Sequence, residues 1–543
     1  MIATDVIIVG AGPVGLTLAL DLGQRGISCV LLEQKAEPAF LPKMERCNAR
    51  TMEIYRRLGV VDKIRKAGLR GDVPLDVYIV LALDQPPLLR LPYPSADEAR
   101  RTDRAQNDGT TPCEPYQLVS QYTVEPVLLR EVLTHPSVDV RFSSTYVTHE
   151  EDSNGVTVTF ENAKSESLSV RGKYLVGCDG GSSPVRKTLN IKLSGEGRIG
   201  QLQQGLFYCP DLFDQIPIGN GPGRGRHYHV ADDKATFLIM QDSTKHWTLH
   251  SAVEGPDELK KMFERTIARP LKYELLSCNP WHQNLLLADR YATDRVFIAG
   301  DAAHLVIPTG GLGMNTGVGD AVDLGWKLAA TLKGWAGPQL LKSYAIERRQ
   351  IGERNVGASR YASIGRRKWR SMYSPDLIED TPKGRRDRRT LAEVADIEQR
   401  KTNEMIGAEL GYRYVDSPVI ANIPGGPEHL FREYEPTTWP GARLPNIWLA
   451  TGEPIQDVLE DGYTVIQFND DDAVSEQLCA AIRHYGAPSK CLRLENRHAR
   501  DIYGFDYILV RPDLHIVWRG DKLEQDADLI GAIATGHASM MFG

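Results

Sequence analysis

A glycine pattern directly after the first apolar run constrains the fold more than any other stretch of the chain. Residues 6–9 are Val-Ile-Ile-Val, which predicts a short buried parallel strand. The pattern has G-x-G-x-x-G spacing, and its candidate binding residues are Gly10, Gly12, Pro13, Val14 and Gly15. In such a pattern the first glycine permits a tight turn, the second lets the backbone approach a pyrophosphate, and the third lets a helix pack close to the strand.

The residues after the glycines complete a strand–helix–strand unit. A helix is predicted over residues 16–25 and a second strand over residues 28–32, which is followed by Glu33 and Gln34. A carboxylate about 20 residues past the glycines can accept hydrogen bonds from ribose hydroxyls, and the helix N-terminus offers free N–H groups to an anion. The glycine spacing alone could arise by chance. The strand, helix, second strand and acidic residue at the expected spacing together predict dinucleotide binding. The stretch does not say which dinucleotide binds.

Composition excludes several classes of protein. The 543 residues suffice for two or three domains, and 42% hydrophobic and 25% charged residues are ordinary for a soluble globular chain. A net charge of −7 argues against a nucleic-acid partner. The eight cysteines show no C-x-x-C or zinc spacing, which indicates a reducing compartment and no metal site. We predict no membrane span and no signal peptide, because a long apolar run and a basic N-terminal region are both missing.

A second informative stretch carries a carboxylate at the end of an apolar strand. Residues 174–177 predict that strand, and Asp179 and Gly180 follow it before a Ser-Pro helix start. Open α/β sheets bind ligands at the carboxyl ends of their strands, so both residues are candidates for cofactor contact. A plain loop is the alternative for this stretch taken by itself.

A third stretch, residues 295–317, is rich in glycine. Its apolar strand delivers Gly300 and Asp301, whose carboxylate can accept hydrogen bonds from a hydroxylated chain such as ribityl. The turn that follows can lie against a flat ring because it contains Gly310, Gly311 and Gly313. A helix is predicted over residues 320–332 with a start near Asn315, where its dipole would stabilise negative charge on a reduced ring. A glycine-rich connector without a ligand is the alternative.

Further candidates lie between these stretches. Lys43 and Arg46 could contact phosphates or a substrate, and a solvated charged face is the alternative for each. Gln121 begins a helix predicted over residues 121–133. Residues 95–115 are polar and rich in turn residues, which predicts a mobile loop.

Residues 192–284 predict mainly β-strands, which we take as a sheet covering the substrate side. Four side chains of these strands could reach a ligand, namely His227, Tyr228, His229 and His250. An ordinary place in the sheet is the alternative for each of them.

Together the three stretches resemble the single-component flavoprotein aromatic hydroxylases, which have the para-hydroxybenzoate hydroxylase fold. The shared signatures are Gly10-Ala-Gly-Pro-Val-Gly15, Cys178-Asp-Gly180, and Gly300-Asp-Ala-Ala-His304 with Pro308 and Gly313-Met-Asn315. They cover residues 1–360. The strands predicted at 463–468, 490–494, 507–511 and 515–519 and the helices predicted at 473–485 and 525–535 resemble the thioredoxin-like C-terminal domain of the phenol-hydroxylase branch. Because C-x-x-C is missing, disulfide exchange is not expected there.

The resemblance implies FAD as cofactor, NADPH or NADH as reductant, and insertion of one oxygen atom into a phenolic ring through a flavin hydroperoxide. It implies that Glu33 holds the adenosine ribose and Asp301 the ribityl chain, while Asp179 and Gly180 serve both FAD and the nicotinamide cofactor. The residues that would border the isoalloxazine are Leu312, Gly313, Met314 and Asn315. Pro308 matches the family proline whose carbonyl faces the substrate hydroxyl. Lys43 departs from the pattern, since many relatives have Arg there, and this weakens its assignment to phosphate or substrate.

The predicted fold class is α/β, with a Rossmann-like FAD-binding domain interleaved with a β-sheet substrate domain. The FAD-binding domain comprises residues 1–190 and 285–360, and residues 72–115 contribute to the substrate side. The substrate domain comprises residues 191–284. A helical connecting segment over 361–424 and a thioredoxin-like domain over 425–543 complete the chain.

The predicted function is FAD- and NAD(P)H-dependent hydroxylation of a substituted phenol by oxygen, in aromatic catabolism, by a cytoplasmic homodimer. The substrate ring is expected between Pro308 and the sheet, with Tyr228 and His250 controlling which phenol is accepted. The alternatives are removal of a nitro or halogen substituent on the same scaffold, a flavin enzyme that reduces carbon–carbon double bonds, and a non-catalytic FAD-binding sensor or assembly protein.

Overall fold

A five-stranded parallel sheet forms the centre of the N-terminal unit in the computed structural model, which describes residues 2–538. Its strand order is Val296–Ile298, Tyr174–Gly177, Val6–Val9, Cys29–Leu32 and Val138–Arg141. Val6–Val9 and Cys29–Leu32 are buried at every position, as expected of a parallel sheet covered on both faces. The predicted strand–helix–strand unit is confirmed, with its helix at Pro13–Gln24.

Two smaller sheets extend this unit. The first contains Ile2–Ala3, Ser167–Gly172, Gly155–Glu161 and Thr145–Asp152 in that order. Its hairpin turn is held by Asp152, whose carboxylate accepts hydrogen bonds from the Asn154 and Gly155 amides at 2.8 and 3.0 Å. The second pairs Arg46–Cys47 with Gln117–Leu118 and thereby fixes the backbone of Arg46.

An eight-stranded sheet forms the second large layer. Its order is His304–Leu305, Glu274–Ala288, Leu193–Tyr208, His246–Ser251, Phe237–Met240, His227–Val230, Val77–Val80 and Leu89–Leu91. The two ends of this order come from outside residues 191–284, so the sheet is completed by chain segments on both sides of that range.

One face of the eight-stranded sheet is an apolar core. Tyr228, Leu238, Leu249 and Phe207 point to this face and pack with Phe263 of the helix Gly255–Ile267. Because side chains alternate along a strand, the neighbours of Tyr228 point to the opposite face, toward the rest of the molecule.

Long helices join the layers. The three longest are Gly313–Leu332, Pro338–Arg370 and Pro382–Asn403. The others are Ala49–Arg57, Val61–Ala67, Ala96–Gln106, Gln121–Val132, Pro184–Thr188, Leu212–Gln215, Gly255–Ile267, Ile406–Leu410, Ala473–His484, Arg497–Tyr503 and Ala527–Thr535. Across the described part of the chain, none of these helices combines the length and hydropathy that a membrane crossing requires.

The prediction of a mobile loop over residues 95–115 is wrong, because the helix Ala96–Gln106 occupies the first half of this range. Ser95 and Glu98 form a capping box: the Glu98 amide donates to Ser95 Oγ at 3.3 Å and the Ser95 amide donates to Glu98 Oε2 at 2.9 Å. Ser-x-x-Glu is a helix-start signal that the polar composition of the segment obscured.

The C-terminal α/β unit is present where it was predicted. Its sheet has the order Ser489–Arg493, Tyr463–Gln467, Tyr507–Val510 and Ile516–Gly520. The predicted helices appear as Ala473–His484 and Ala527–Thr535, and the short helix Arg497–Tyr503 was not predicted. Residues 539–543 of the predicted domain lie outside the described residues.

A buried ion cluster fastens this unit to the rest of the protein. Arg511 contacts Glu347, Asp323 and Asp513 at 2.7, 2.9 and 2.7 Å, and Lys327 contacts Asp323 at 2.8 Å. Each of these side chains is at most 3% exposed. Although burial opposes ionisation, Arg511 and Lys327 keep the pKa of Glu347 well below its usual range. The cluster therefore depends on the cations that neutralise its carboxylates.

We expect Arg511→Met to destabilise the protein by about 3–5 kcal/mol, because it leaves buried carboxylates without their cation. Denaturant unfolding followed by tryptophan fluorescence measures the loss. Arg493→Ala is the matched control, since it removes an exposed ion pair with Asp470 on the same sheet and should cost less than about 1 kcal/mol. Equal effects of the two substitutions would contradict a structural role for the cluster.

Candidate active site

A cavity of about 420 Å³ opens at the carboxyl ends of the parallel strands, with Val9, Leu32, Cys178 and Ala299 in its wall. Most of the predicted cofactor-binding residues line it: Gly10, Gly12, Pro13, Val14, Glu33, Gln34, Lys43, Arg46, Gln121, Asp179, Gly180, Asp301, Pro308, Gly311, Gly313, Met314 and Asn315. Gly15, Gly300 and Leu312 lie behind the wall, and the Leu312 side chain is buried among Ala358, Ala362, Met405 and Ala408.

The three glycines of the first pattern differ in what a Cβ atom at each position would contact. Gly10 has φ +105°, and a Cβ there would lie 2.4 Å from the Cys178 carbonyl oxygen. A Cβ on Gly15 would lie 1.9 Å from the Gly10 carbonyl oxygen, which is a steric clash. A Cβ on Gly12 would meet nothing within 4 Å, so this position borders open space in which a ligand can approach the backbone.

Glu33 is held at the end of its strand by two backbone amides. Its Oε2 accepts a hydrogen bond from the Ala11 amide at 2.8 Å, and its Oε1 accepts one from the Lys35 amide at 3.0 Å. The carboxylate therefore has a fixed orientation beside the glycine turn, with lone pairs still available to a hydroxyl.

Asp301 is carried on a turn that a buried carboxylate anchors. Asp320 Oδ2 accepts a hydrogen bond from the Gly300 amide at 3.0 Å and lies 2.8 Å from His304 Nε2, while Arg348 Nε donates to Asp320 Oδ1 at 2.8 Å. Although burial opposes ionisation, Arg348 and His304 hold the pKa of Asp320 below its usual range. The Asp301 carboxylate itself is exposed to the cavity, and the surrounding protein raises the pKa of Asp301 through desolvation.

The glycine turn before the helix Gly313–Leu332 is also fixed by side chains. Asn315 Nδ2 donates to the Gly311 carbonyl at 2.6 Å, and Arg46 Nη2 donates to the Gly310 carbonyl at 2.8 Å. The Pro308 carbonyl accepts a hydrogen bond from the Gly311 amide at 3.1 Å. One of its two lone pairs therefore serves the turn, and the other has no partner among the described residues.

The structure contradicts the expectation that Tyr228 takes part in catalysis. Its hydroxyl donates to the Gly223 carbonyl at 3.0 Å and accepts from the Gly225 amide at 2.9 Å. Its ring stacks on Tyr78 with centroids 5.6 Å apart. Complete burial raises the pKa of Tyr228 well above its usual range. The residue points to the apolar face of the sheet, opposite to the face of its neighbours.

His229 and His250 point to the other face but do not line the cavity. His229 Nε2 lies 3.2 Å from Gln399 Nε2. His250 Nδ1 accepts a hydrogen bond from Trp281 Nε1 at 3.0 Å, and its ring stacks on Phe237 at 4.5 Å. Burial lowers the pKa of His250 to about 3 and that of His229 well below its usual range, so both imidazoles are neutral at physiological pH. Their catalytic role stays a prediction.

A carboxylate–imidazole pair at the cavity was not predicted. Glu45 lines the cavity, and its Oε1 lies 3.2 Å from Nε2 of the buried His227, which stands behind Glu45 and is not itself part of the cavity wall. Burial and the charge of Arg226 lower the pKa of His227 to about 4. Although burial opposes ionisation, the pKa of Glu45 is held well below its usual range by its partner imidazole and by Arg226 and Arg46. At neutral pH the pair therefore consists of a carboxylate and a neutral imidazole.

Two cations next to this pair are also buried. Arg226 is 4% exposed and Arg46 is 5% exposed. Burial and the neighbouring charge of Arg46 lower the pKa of Arg226. Of these residues, the sequence predicted Arg46 as a candidate binding residue and His227 as one of four candidate side chains in the strands. It gave no indication of Glu45.

The residues of the cavity fit FAD. Open space beside Gly12 leaves room for a pyrophosphate, and the helix Gly313–Leu332 directs its N-terminus at the cavity through Gly313 and Met314. Asp179 Oδ1 is buried and has no hydrogen-bond partner within residues 2–538. Fold and cavity together define a flavin-binding protein of the dinucleotide-binding class.

Comparison with known proteins assigns the family. A model described as "FAD binding domain" matches residues 3–359, and one described as "Aromatic-ring hydroxylase, C-terminal" matches residues 437–536. The chain is 34% identical to FAD-dependent monooxygenase apdD of Emericella nidulans over 99% of this chain and 91% of that protein. It is 28% identical to the 2,4-dichlorophenol 6-monooxygenase of Cupriavidus pinatubonensis over 98% of this chain and 96% of that protein.

Solved structures agree with this assignment. Chromopyrrolic acid-soaked RebC with bound 7-carboxy-K252c superposes with a TM-score of 0.90 at 31% identity, over 99% of this chain and 100% of that chain. The protein belongs to the single-component FAD-dependent aromatic hydroxylases, and its cofactor is FAD.

We expect the purified protein to be yellow with one non-covalent FAD per chain, and Gly12→Leu to abolish FAD retention. The new side chain meets no protein atom within 4 Å of its Cβ, so the fold survives while the path of the backbone to the pyrophosphate is blocked. Visible flavin absorbance and circular dichroism measure the two properties. Gly197→Leu is the matched control, because Gly197 is exposed on a strand far along the chain and has only the Asn284 Oδ1 atom near its Cβ, at 3.7 Å. Full FAD occupancy in folded Gly12→Leu would contradict the assignment.

Proposed function

We propose that this enzyme hydroxylates a phenolic ring, using NADPH or NADH as reductant and oxygen as co-substrate. The observation that carries the proposal is the pair of Glu45 and His227 at the cavity, next to two buried guanidinium groups. A phenol reacts with an electrophilic oxygen much more readily as phenolate. A site that takes up the phenol proton and compensates the resulting charge suits that requirement.

Bound FAD would supply the redox chemistry that activates oxygen. The protein's own contribution begins with placing the ring. The Pro308 carbonyl has one free lone pair and can accept a hydrogen bond from a substrate hydroxyl. The face of the sheet that bears His227 would form the opposite wall, and Ile239 and Phe237 give this face an apolar surface. Apolar walls with few polar anchors are typical of sites for small aromatic molecules.

The second contribution is transfer of the phenol proton. His227 is neutral at physiological pH because of its lowered pKa, and its Nε2 lies beside Glu45. Neither ring nitrogen has a hydrogen-bond partner in the described chain. A small rotation of the imidazole that directs Nε2–H at the Glu45 carboxylate would leave Nδ1 to accept a proton. Arg226 and Arg46 would then compensate the charge of the phenolate. We therefore propose His227 as the general base and Glu45 as the residue that orients it.

The matched relatives support aromatic hydroxylation but differ in their roles. One acts on a chlorinated phenol by its name, whereas RebC is described as a rebeccamycin biosynthetic enzyme. The relatives thus include hydroxylases of both kinds, and we retain aromatic catabolism by a cytoplasmic homodimer as our working proposal.

A screen of phenols, catechols and aryl acids tests the proposed activity. The expected result is stimulated oxidation of NADPH or NADH together with a product that is heavier by one oxygen atom. Loss of a nitro or halogen group in the product would favour the elimination reaction instead. If no aromatic compound stimulates oxidation by the FAD-loaded protein, the enzyme assignment fails and the sensor alternative gains support.

We expect His227→Gln to reduce turnover of a simple phenol by about 10²–10⁴-fold at neutral pH, since a positioned base contributes this factor. The deficit should shrink as the pH rises toward about 10, where the phenol ionises in solution as tyrosine does. In the unmodified enzyme the acid limb should lie near the pKa of His227, about 4, because protonation removes the base.

The pH–rate profile for hydroxylation distinguishes this role from a structural one. His282→Gln serves as the control, because this histidine is exposed on the strand Glu274–Ala288, and its profile should match that of the unmodified enzyme. A His227→Gln deficit that stays constant up to high pH would show that the residue is structural and that the base lies elsewhere.

A further inference from the structure

A second cavity, of about 550 Å³, lies between the FAD-binding unit and the C-terminal domain. Its wall shares no residue with the flavin cavity. One side is formed by the helices Pro13–Gln24, Ala49–Arg57 and Gly313–Leu332, and the other by residues 460–462 and 512–514 of the C-terminal domain. Its volume is in the range of sites for small organic ligands.

The carboxylates around this cavity are already neutralised or solvated. Asp21 binds Arg25 at 3.0 Å, and Asp513 binds Arg511 at 2.7 Å. Glu460 pairs with Lys490 at 3.0 Å, and Asp461, whose side chain is 96% exposed, pairs with Arg57 at 3.5 Å. These pairings leave Arg50 and Lys333 as the least compensated cations of the wall.

The remaining cations are Arg50, Arg57 and Lys333. Arg50 is 5% exposed, and its Nε and Nη1 atoms have no hydrogen-bond partner among the described residues. The nearest carboxylate is Glu53, 3.7 Å from Nη1, and Glu53 is engaged by Arg443. Buried guanidinium groups without a full set of partners are costly, and an anion in the cavity would satisfy Arg50.

Arg57 and Lys333 extend this positive surface. Arg57 donates hydrogen bonds to the carbonyls of Gln456 and Glu460 at 3.1 and 3.0 Å and to Asp461 Oδ1 at 3.5 Å, and burial lowers the pKa of Arg57. Lys333 is exposed at the mouth of the cavity. The positive charge thus runs from the buried Arg50 to the solvent.

The same cavity has an aromatic wall. Trp326 and Trp335 line the cavity and stack with centroids 6.4 Å apart and an interplanar angle of 20°. Trp326 is 1% exposed, so the partly exposed Trp335 presents the accessible ring. Ala329 and Ala330 stand next to them and leave space for a ring. A flat apolar surface beside the partly unpaired guanidinium group of Arg50 matches a planar molecule that carries a negative charge.

We propose that this cavity is a second ligand site, which binds a planar aromatic carboxylate with its ring against Trp335 and its carboxylate on Arg50. The proposal is independent of the hydroxylation reaction. Because the wall belongs to both domains, the ligand would stabilise the docked C-terminal domain, in proportion to how far its concentration exceeds its dissociation constant.

Titration of the FAD-loaded enzyme with 1-naphthoate, followed by calorimetry and by tryptophan fluorescence, tests this site. We expect saturable binding that leaves the visible flavin spectrum unchanged and raises the melting temperature. Cyclohexanecarboxylate and naphthalene-1-methanol, which lack the aromatic ring and the charge respectively, should bind at least about tenfold more weakly, a difference of about 1.4 kcal/mol.

Charge reversal at the mouth of the cavity locates the binding. Lys333→Glu should weaken 1-naphthoate binding by about tenfold, since repulsion replaces attraction. Lys342→Glu is the matched control, because Lys342 is exposed on the next helix and does not line the cavity. Ala329→Phe, which fills the cavity, should abolish binding without loss of FAD. Absence of saturable binding, equal affinities in all variants, or a perturbed flavin spectrum would overturn the proposal.

Discussion

The buried carboxylate of Asp320 is the interaction on which the flavin site depends. It has no access to solvent, and it is ionised only because Arg348 and His304 face it. Its bond to the Gly300 amide fixes the turn that presents Asp301. A carboxylate in this position costs free energy unless every partner is in place. The family signature Gly-Asp-Ala-Ala-His thus contains one residue that faces the cavity, Asp301, and another, His304, that keeps the turn in position.

The helix that carries Asp320 connects three parts of the protein. Its first turn, at Gly313 and Met314, borders the flavin cavity. Asp323 and Lys327 enter the ion cluster with Arg511. Trp326 lines the second cavity. A displacement of the C-terminal domain would therefore act on the same rigid element that borders the cofactor.

Local patterns were sufficient to predict the parts of the site that are local in sequence. The glycine spacing, Glu33 and the Gly300-Asp301 turn all lie within short stretches, and the structure brings them to one cavity. The prediction for Tyr228 was wrong because the alternation of side chains along a strand shows only that neighbouring residues face opposite sides. It does not show which of the two sides packs against a helix. Glu45 and His227 are 3.2 Å apart in the structure but lie far apart in the sequence. Hydrophobic periodicity does not predict contacts between residues that are distant in the sequence. The pairing between Arg511 and Glu347 could not be predicted for the same reason.

The order of strands in the eight-stranded sheet has a consequence for synthesis. The sheet needs Val77–Val80 and Leu89–Leu91 at one edge and His304–Leu305 at the other, and the parallel sheet needs Val296–Ile298. Neither sheet can be completed during synthesis until residues 296–305, which contain both of these late strands, have left the ribosome. Long-range pairing of this kind folds slowly and leaves strand edges open meanwhile. The nascent chain therefore carries two unfinished sheets until the segment that ends at Leu305 has emerged, and their open strand edges are exposed to aggregation during this interval.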